Sequence, residues 1–521
     1  MRPILTAALL AAALPAGAAE LRYASTTDPD TLDPHAGNSA PNFSLLGNVY
    51  EGLVRRGRDM GLEPALATSW EPIGDGEGWR FTLREGVTFH GGETFDAEDV
   101  VFSYERAASA ESDVASWFAS VDRVEAPDAR TFEVYTTAPN PIFVDGIANW
   151  MILDSGWAAE NGAERPNIEQ GNFATTNANG TGPYRVAERQ PGLRTVLEAH
   201  DGWWDADRGN VTRAVFTPVE NSATAVAALL SGELGLIEPV PVQDARRVEA
   251  AGGVDVIRGV EARVIMLGFP HARGALFGGD DVVAGINPFQ DVRVRRAVAH
   301  AINVPAILQT VMQGSAEEVE QLVSPAMRGF TEGLTGHPYD PERARALLAE
   351  AGYADGFPFS FRCPNDRYLN DEAVCTAINA MLAQVGLEPR FETMPVANYW
   401  PTLRADEHDL YLLGWSPGTF DAEHPIRFLL ATPDEEAKLG SWNFGGYSNA
   451  RVDELLPAIQ SEIDDDARQA MLDEVANAAI QEDVAYVPLY VQPLLWGVAE
   501  GVEVVQRPDN FVNLRWIDVA E

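Results

Sequence analysis

The sequence predicts an α/β fold of more than one lobe, and three observations lead there. The chain has 521 residues, more than one compact core usually accommodates, so two or three lobes are expected. Between Asp340 and Leu413 the apolar pattern alternates between helical spacing and short strands, which means a mostly parallel sheet with helices on both faces. Two apolar strands, 264–269 and 486–491, stand where the chain would cross from one lobe to the next and back, and two crossings make a hinge. The apolar fraction of 46% is that of an ordinary globular protein.

Taken in order, residues 1–19 read as a signal peptide. Arg2 supplies the charge, residues 4–14 the apolar run, and Ala16-Gly17-Ala18-Ala19 a small-residue cleavage site. That run is too short to span a bilayer, and no later stretch is long enough, so an exported, soluble mature chain is expected. Residues 21–25 are a first strand and 42–53 a helix, with Phe43, Leu46 and Tyr50 at helical spacing. Trp79, Phe81 and Leu83 then alternate with Arg80, Thr82 and Arg84, a strand. Glu85-Gly86 turns the chain, Val87 and Phe89 resume a second short strand, and Gly91-Gly92 breaks it. Asp96 caps the helix that starts at Ala97. Residues 121–134 hold two strands around Pro127-Asp128, and 222–231 and 291–302 are helices. Asp340-Pro341 opens a helix that buries Ala344, Leu347, Leu348 and Ala351 and stops at Gly352. Strand 357–362, helix 371–385, strand 389–392, helix 398–404 and strand 410–413 follow, then helices at 449–462 and 466–481.

Charge excludes some partners. The net charge is 37 − 78 = −41, and the only lysine is Lys438. Such a chain repels nucleic acid and anionic lipid. The acidity reads either as solubility or source bias or as a preference for cationic solutes. Cys363 and Cys375 form a disulfide or stay as two buried thiols; a bridge would close a small loop worth about 3 kcal/mol. Neither cysteine has a histidine clustered with it, so no metal and no cofactor is expected.

The pattern Phe81, Leu83, Arg84, Gly86, Val87, Phe89, His90, Gly92, Phe95, Ala97, Asp99, Val100, Phe102, Ser103 resembles the signature of the peptide/nickel class of solute-binding proteins that feed ABC importers. Leu32-Asp33-Pro34, the stretch 62–70 (LEPALATSW), Thr181-Gly182-Pro183-Tyr184 and the helix at 291–302 resemble further motifs of that class. The resemblance implies a two-lobed periplasmic-binding-protein fold of the large peptide-binding type, with an extra inserted subdomain in the first lobe. The expected lobe I core is 20–50 plus 183–267 plus 492–521, the inserted subdomain 51–182, and lobe II 268–491. It also implies a periplasmic, monomeric, non-enzymatic receptor for a short peptide, partnered by a membrane permease and its ATPase subunits. Another small solute, such as an opine, a modified amino acid or a chelated metal, is the alternative cargo.

Site residues follow from the resemblance, each beside a plainer reading. Ser39 and Asn42 precede or open a helix whose N-terminal segment reaches the ligand in relatives; both also suit capping. Arg367 lies near the arginine that holds a peptide carboxylate, or pairs with Asp366 or Asp371. The loop Trp415 to Asp421 stands where relatives carry a Trp-x-x-Asp that holds a peptide ammonium. Here the third residue after Trp415 is Gly418, so the acid would be Asp421, from a shifted loop containing Thr419 and Phe420; capping the next turn is the plainer reading. Tyr399, Trp415 and Phe420 would supply aromatic walls.

One motif argues for a secreted serine hydrolase. Gly414-Trp415-Ser416-Pro417-Gly418 satisfies Gly-x-Ser-x-Gly after a strand. The residue after the serine should donate its N–H to an oxyanion, and Pro417 has none. Loss of one such donor costs about 10²–10³ in rate.

Overall fold

The structure is a computed structural model that describes residues 19–74, 76–167, 169–277 and 285–520. Residues 1–18, nearly all of the expected signal peptide, lie outside them. Two long antiparallel strands, Val254–Gly268 and Tyr486–Ala499, carry the architecture. Their ladder runs from Val254 opposite Ala499 to Val260 opposite Pro493. It resumes at Val264 opposite Val491 and ends at Gly268 opposite Tyr486. Residues 261–263 therefore face the single residue Gln492, an irregularity that bends and twists a ladder.

The break divides an eleven-stranded sheet into two halves. On the first half Leu236–Glu238 pairs with Val498 and Gly497, and Ala19–Ser25, Val211–Pro218, Arg194–Ala199 and Tyr184–Gln190 follow outward. On the second half Leu410–Trp415 pairs with residues 264–268 alone. Pro358–Pro364 and Glu388–Met394 then add in parallel. The fold is two-lobed, with the two long strands shared by both lobes.

The second lobe follows its sequence pattern closely. Helix Pro341–Glu350 buries Ala344, Leu347 and Leu348, and Asp340 caps it through the Arg343 N–H at 2.9 Å. Helix Asp371–Gln384 buries Val374, Cys375, Ile378 and Leu382. A disulfide joins Cys363 on the strand to Cys375 on this helix.

In the first lobe, a separate antiparallel sheet orders Ala67–Ile73, Gly78–Leu83, Thr131–Thr136 and Val121–Asp128. Phe81, Leu83, Phe132 and Val134 are buried in its core, continuous with that of the first lobe. Asp96 caps helix Ala97–Ala107 at the Glu98 N–H, and Asp99 returns a bond to the Asp96 N–H. The strand expected at 87–89 shrinks to an isolated bridge between Thr88 and Thr94. The Gly91-Gly92 turn, with Gly92 at φ +104°, closes too soon for a ladder to grow. The helix expected over 42–53 spans only Ala40–Leu46. Asn48 ends it by donating its side-chain amide to Ser44 O at 2.9 Å and Leu45 O at 3.4 Å.

The Leu32-Asp33-Pro34 motif has a structural role. Asp33 accepts two bonds from Arg106, at 2.7 and 2.5 Å, and Arg106 also donates to His35 Nδ1 at 3.0 Å. All three residues are buried. This pins the turn after the first strand to the helix that begins at Ala97.

Candidate functional site

The ladder break places charges where the two lobes meet. Arg263 and Glu261, on one long strand, pair at 3.0 Å. Gln492, on the other, donates to Glu261 at 2.6 Å and accepts the Leu369 N–H at 3.2 Å. A loop of the second lobe is thereby tied to the break. Asp371 fixes the same loop by accepting the N–H groups of Arg367 and Tyr368 at 2.9 and 3.0 Å. The Tyr368 hydroxyl accepts from Gly414 N at 2.8 Å, which seats the loop on strand Leu410–Trp415.

Arg367 thus has a fixed backbone and a free head. Its guanidinium lies 5.2 Å from the centre of the Tyr368 ring and makes no ion pair among the described residues. The Arg263 guanidinium lies 6.0 Å from that ring. Loss of surrounding water, then the like charge of Arg263, hold the Arg367 pKa below its usual value. Of the two guanidinium groups, Arg263 is paired with Glu261 and Arg367 is not paired. The arrangement can take a carboxylate, which a planar fork of donors matches in two bonds.

The first lobe reaches the second through the hairpin of Val54–Arg56 and Leu62–Pro64. Met60, at its tip, is buried in the apolar cluster of Val264, Met266 and Tyr411. Arg56 donates to Thr419 O at 2.8 Å, lies 5.2 Å from the Phe420 ring, and pairs with Asp145 at 3.0 Å. Arg507 supports it by donating to Arg56 O at 2.6 Å. Arg328 of the second lobe stands 4.0 Å from both Asp145 and Asp421.

The residues expected from the sequence separate into three groups. Arg367, Thr419 and Phe420 lie at the lobe junction. Thr419 meets Arg56 through its carbonyl, and its buried hydroxyl has no hydrogen-bond partner. Trp415 is half-buried in a cluster with Phe428 and Trp442, its indole N–H bonded to His424 at 3.2 Å.

Two expected residues are held by partners of their own. Asp421 is 1% exposed, and both its oxygens accept from Arg468, at 2.8 and 2.7 Å. Oδ1 also caps the Glu423 N–H at 2.8 Å. Its carboxylate is therefore already paired within the lobe. Tyr399 is fully buried beneath the strand, its hydroxyl donating to Leu412 O at 2.6 Å, so it forms core rather than a cleft wall.

Ser39 and Asn42 remain on the first lobe. Ser39 occupies the cap position of helix Ala40–Leu46 without a capping bond from its side chain. Asn42 accepts the Asp30 N–H at 2.9 Å, and its buried amide nitrogen is unpartnered. Neither does the capping that was the alternative. Ser416 lies on the loop before Pro417, and no hydrogen bond joins it to a histidine among the described residues; the adjacent His424 is taken by Trp415.

Sequence reasoning missed Glu261, Arg263, Gln492, Arg56 and Asp145. One signal was available: Glu261-Ala262-Arg263 puts two charges directly before the apolar run 264–267, which marks a place where a ladder breaks. Arg56 and Asp145 carry no such mark, because their partners are far off in sequence.

Among the described residues no helix is long and apolar enough to cross a membrane. The profile of "Bacterial extracellular solute-binding proteins, family 5 Middle" matches residues 61–436, well over half of the chain. The glutathione-binding protein GsiB of Escherichia coli is 25% identical over 474 residues, covering 89% of this chain and 87% of that one. The periplasmic binding protein DppA of Helicobacter pylori, solved in complex with the peptide STSA, superposes with a TM-score of 0.77 at 22% identity, over 97% of this chain and 98% of that one. AgaA of A. tumefaciens, in complex with agropinic acid, gives 0.76 at 20% identity, over 96% and 99%. The two lobes joined by shared strands and the match along most of the sequence have one reading: the chain belongs to the bacterial extracellular solute-binding proteins of family 5.

Proposed function

We propose that this chain is the solute receptor of an ABC importer and that its cargo is a short peptide gripped between the lobes. The receptor is exported to the periplasm behind a cleaved signal peptide, acts as a monomer without covalent chemistry, and hands its cargo to a membrane permease driven by ATPase subunits. Lobe I is 20–50 plus 183–267 plus 492–521, with 51–182 inserted, and lobe II is 268–491. The ladder break opposite Gln492 is the hinge about which they close. Closure takes the cargo out of water, so that a few charges and backbone groups select it.

The observation that carries this reading is the unpaired guanidinium of Arg367 beside Arg263 at that break. It supports a role in holding the cargo's carboxylate, with Thr419, Phe420 and Trp415 on the second lobe and Ser39 and Asn42 on the first. The occupied carboxylate of Asp421 favours a second cargo class: a small acid without a free amine at that point, such as an opine or a capped peptide.

The test is calorimetric titration of the purified receptor with peptides found by native mass spectrometry, and with their C-terminal amides. Amidation and Arg367→Gln should each weaken binding about tenfold to a hundredfold, the range for a lost charged hydrogen bond. Together they should do little more than either alone. Equal affinity for acid and amide would remove Arg367 from the carboxylate site. Cleavage of the titrated peptide by the wild-type protein, lost in Ser416→Ala, would overturn the receptor reading itself.

A further inference from the structure

A cavity in the first lobe, beside the Arg56 contact with Thr419, gathers more positive charge than that contact uses. It has a volume of about 80 Å³ and is lined by four arginines, Arg55, Arg56, Arg507 and Arg515, with Glu51 the one acid on its wall. One water needs about 10–15 Å³ by the same measure, so several waters or one tetrahedral oxyanion fit. In a chain of net charge −41, this local excess of guanidinium runs against the average.

The arginines are not equally engaged. Arg56 pairs with Asp145, Arg507 with Asp509, and Arg55 with Asp205 at 2.7 Å. Arg515 is 7% exposed, makes no ion pair among the described residues, and rests on the Trp516 ring at 4.0 Å. Nη1 of Arg515 and Nη1 of Arg55 are both buried without a hydrogen-bond partner. Burial and the like charges of Arg55 and Arg507 push the Arg515 pKa down to about 10. Glu51 stands against them as a single acid; its oxygens accept from Thr181, Trp203 and Trp204, and burial holds its pKa up. Buried donors left unpaired, in a cavity whose arginines outnumber its acids, call for an anion whose oxygens match a guanidinium fork.

We infer that the cavity bounded by Arg55, Arg507 and Arg515 is a second binding site, for a small oxyanion. Two sources share that chemistry: free phosphate, and a carboxylate reaching in from a bound solute.

Calorimetric titration of the intact receptor with inorganic phosphate, at fixed ionic strength and without cargo, tests it. One phosphate should bind per chain. Arg515→Met should weaken it tenfold or more, whereas Arg367→Gln, at the hinge, should leave it unchanged. Glu51→Gln removes the one repelling charge from the wall and should tighten phosphate several-fold; this arm decides should Arg515→Met not fold. Competition between phosphate and a bound peptide would identify the carboxylate source, and independent binding the free anion. Absence of phosphate binding to the wild type overturns the inference, as does affinity unmoved by both Arg515→Met and Glu51→Gln. Because Arg367→Gln is tested in parallel, failure here is separable from failure of the peptide reading.

Discussion

Replacing Asp421 by Asn separates its two roles most sharply. The carboxylate is 1% exposed and its partner Arg468 2% exposed, joined by bonds of 2.8 and 2.7 Å. Asn keeps the shape and one acceptor, so the cap on the Glu423 N–H survives. The charge does not survive, and Arg468 is left buried with Ile459 O at 2.9 Å and the one retained amide oxygen, with Arg328 nearby and Glu423 the remaining acid that acts on it. Breaking a buried pair from one side costs about 3–5 kcal/mol; with one acceptor retained, about 3 kcal/mol is expected. At a urea slope of about 3 kcal/mol per molar, that moves the midpoint of the second lobe down by about 1 M. The assay is urea unfolding followed by tryptophan emission. Changing Arg468→Met as well should restore most of the loss, because the cost lies in the stranded charge. A variant as stable as the wild type that binds acetylated peptides normally and free-amine peptides poorly would refute the reasoning and return Asp421 to the cleft.

Other expectations follow from particular contacts. Arg56→Ala removes the hydrogen bond to Thr419 O and the contact with Phe420, so the lobes should part and the radius of gyration from small-angle scattering should rise; an unchanged curve would count against a latch there. His35 is driven down to about 3 by burial and by Arg106, and returns to about 6.5 on unfolding. The unfolded chain therefore binds the extra proton below pH 6.5, and this histidine costs stability as pH falls from there towards 3, by about 1.4 kcal/mol per pH unit. His35→Gln, a neutral donor and acceptor, should reduce the loss between pH 7 and pH 5 by about 2 kcal/mol in paired urea titrations. Reducing the Cys363–Cys375 bridge, separated by 12 residues, should cost about 3 kcal/mol on the chain-entropy account; an unmoved melting temperature would show that the two sulfurs add only packing.

Local chemistry explains which parts of this chain were legible beforehand. Asp96, Asp291 and Asp340 cap the helices that follow them, because a cap needs only its own residue and the next three. The alternation from Asp340 to Leu413 predicted a parallel sheet, and Pro358–Pro364 does pair in parallel with both neighbours. Side-chain period and connection length suffice for that. The helix expected over 42–53 ends early, because apolar spacing continues to Tyr50 while Asn48 satisfies the carbonyls that end the helix. Tyr399 illustrates the limit of local pattern: an aromatic residue in a short helix looks the same from sequence whether it faces a cleft or a strand.

The sequence by itself determined the fold class and, through its family signature, the lobed architecture, since each rests on neighbours within a few residues or on a linear motif. Only the tertiary structure decided what charge remains available. Asp421 is spent on Arg468, 47 residues away, and Arg56 reaches across 363 residues to Thr419. The physical reason is that a charge is silenced or freed by whatever the fold brings within hydrogen-bond distance, and pairings at that range leave no periodic trace in the chain.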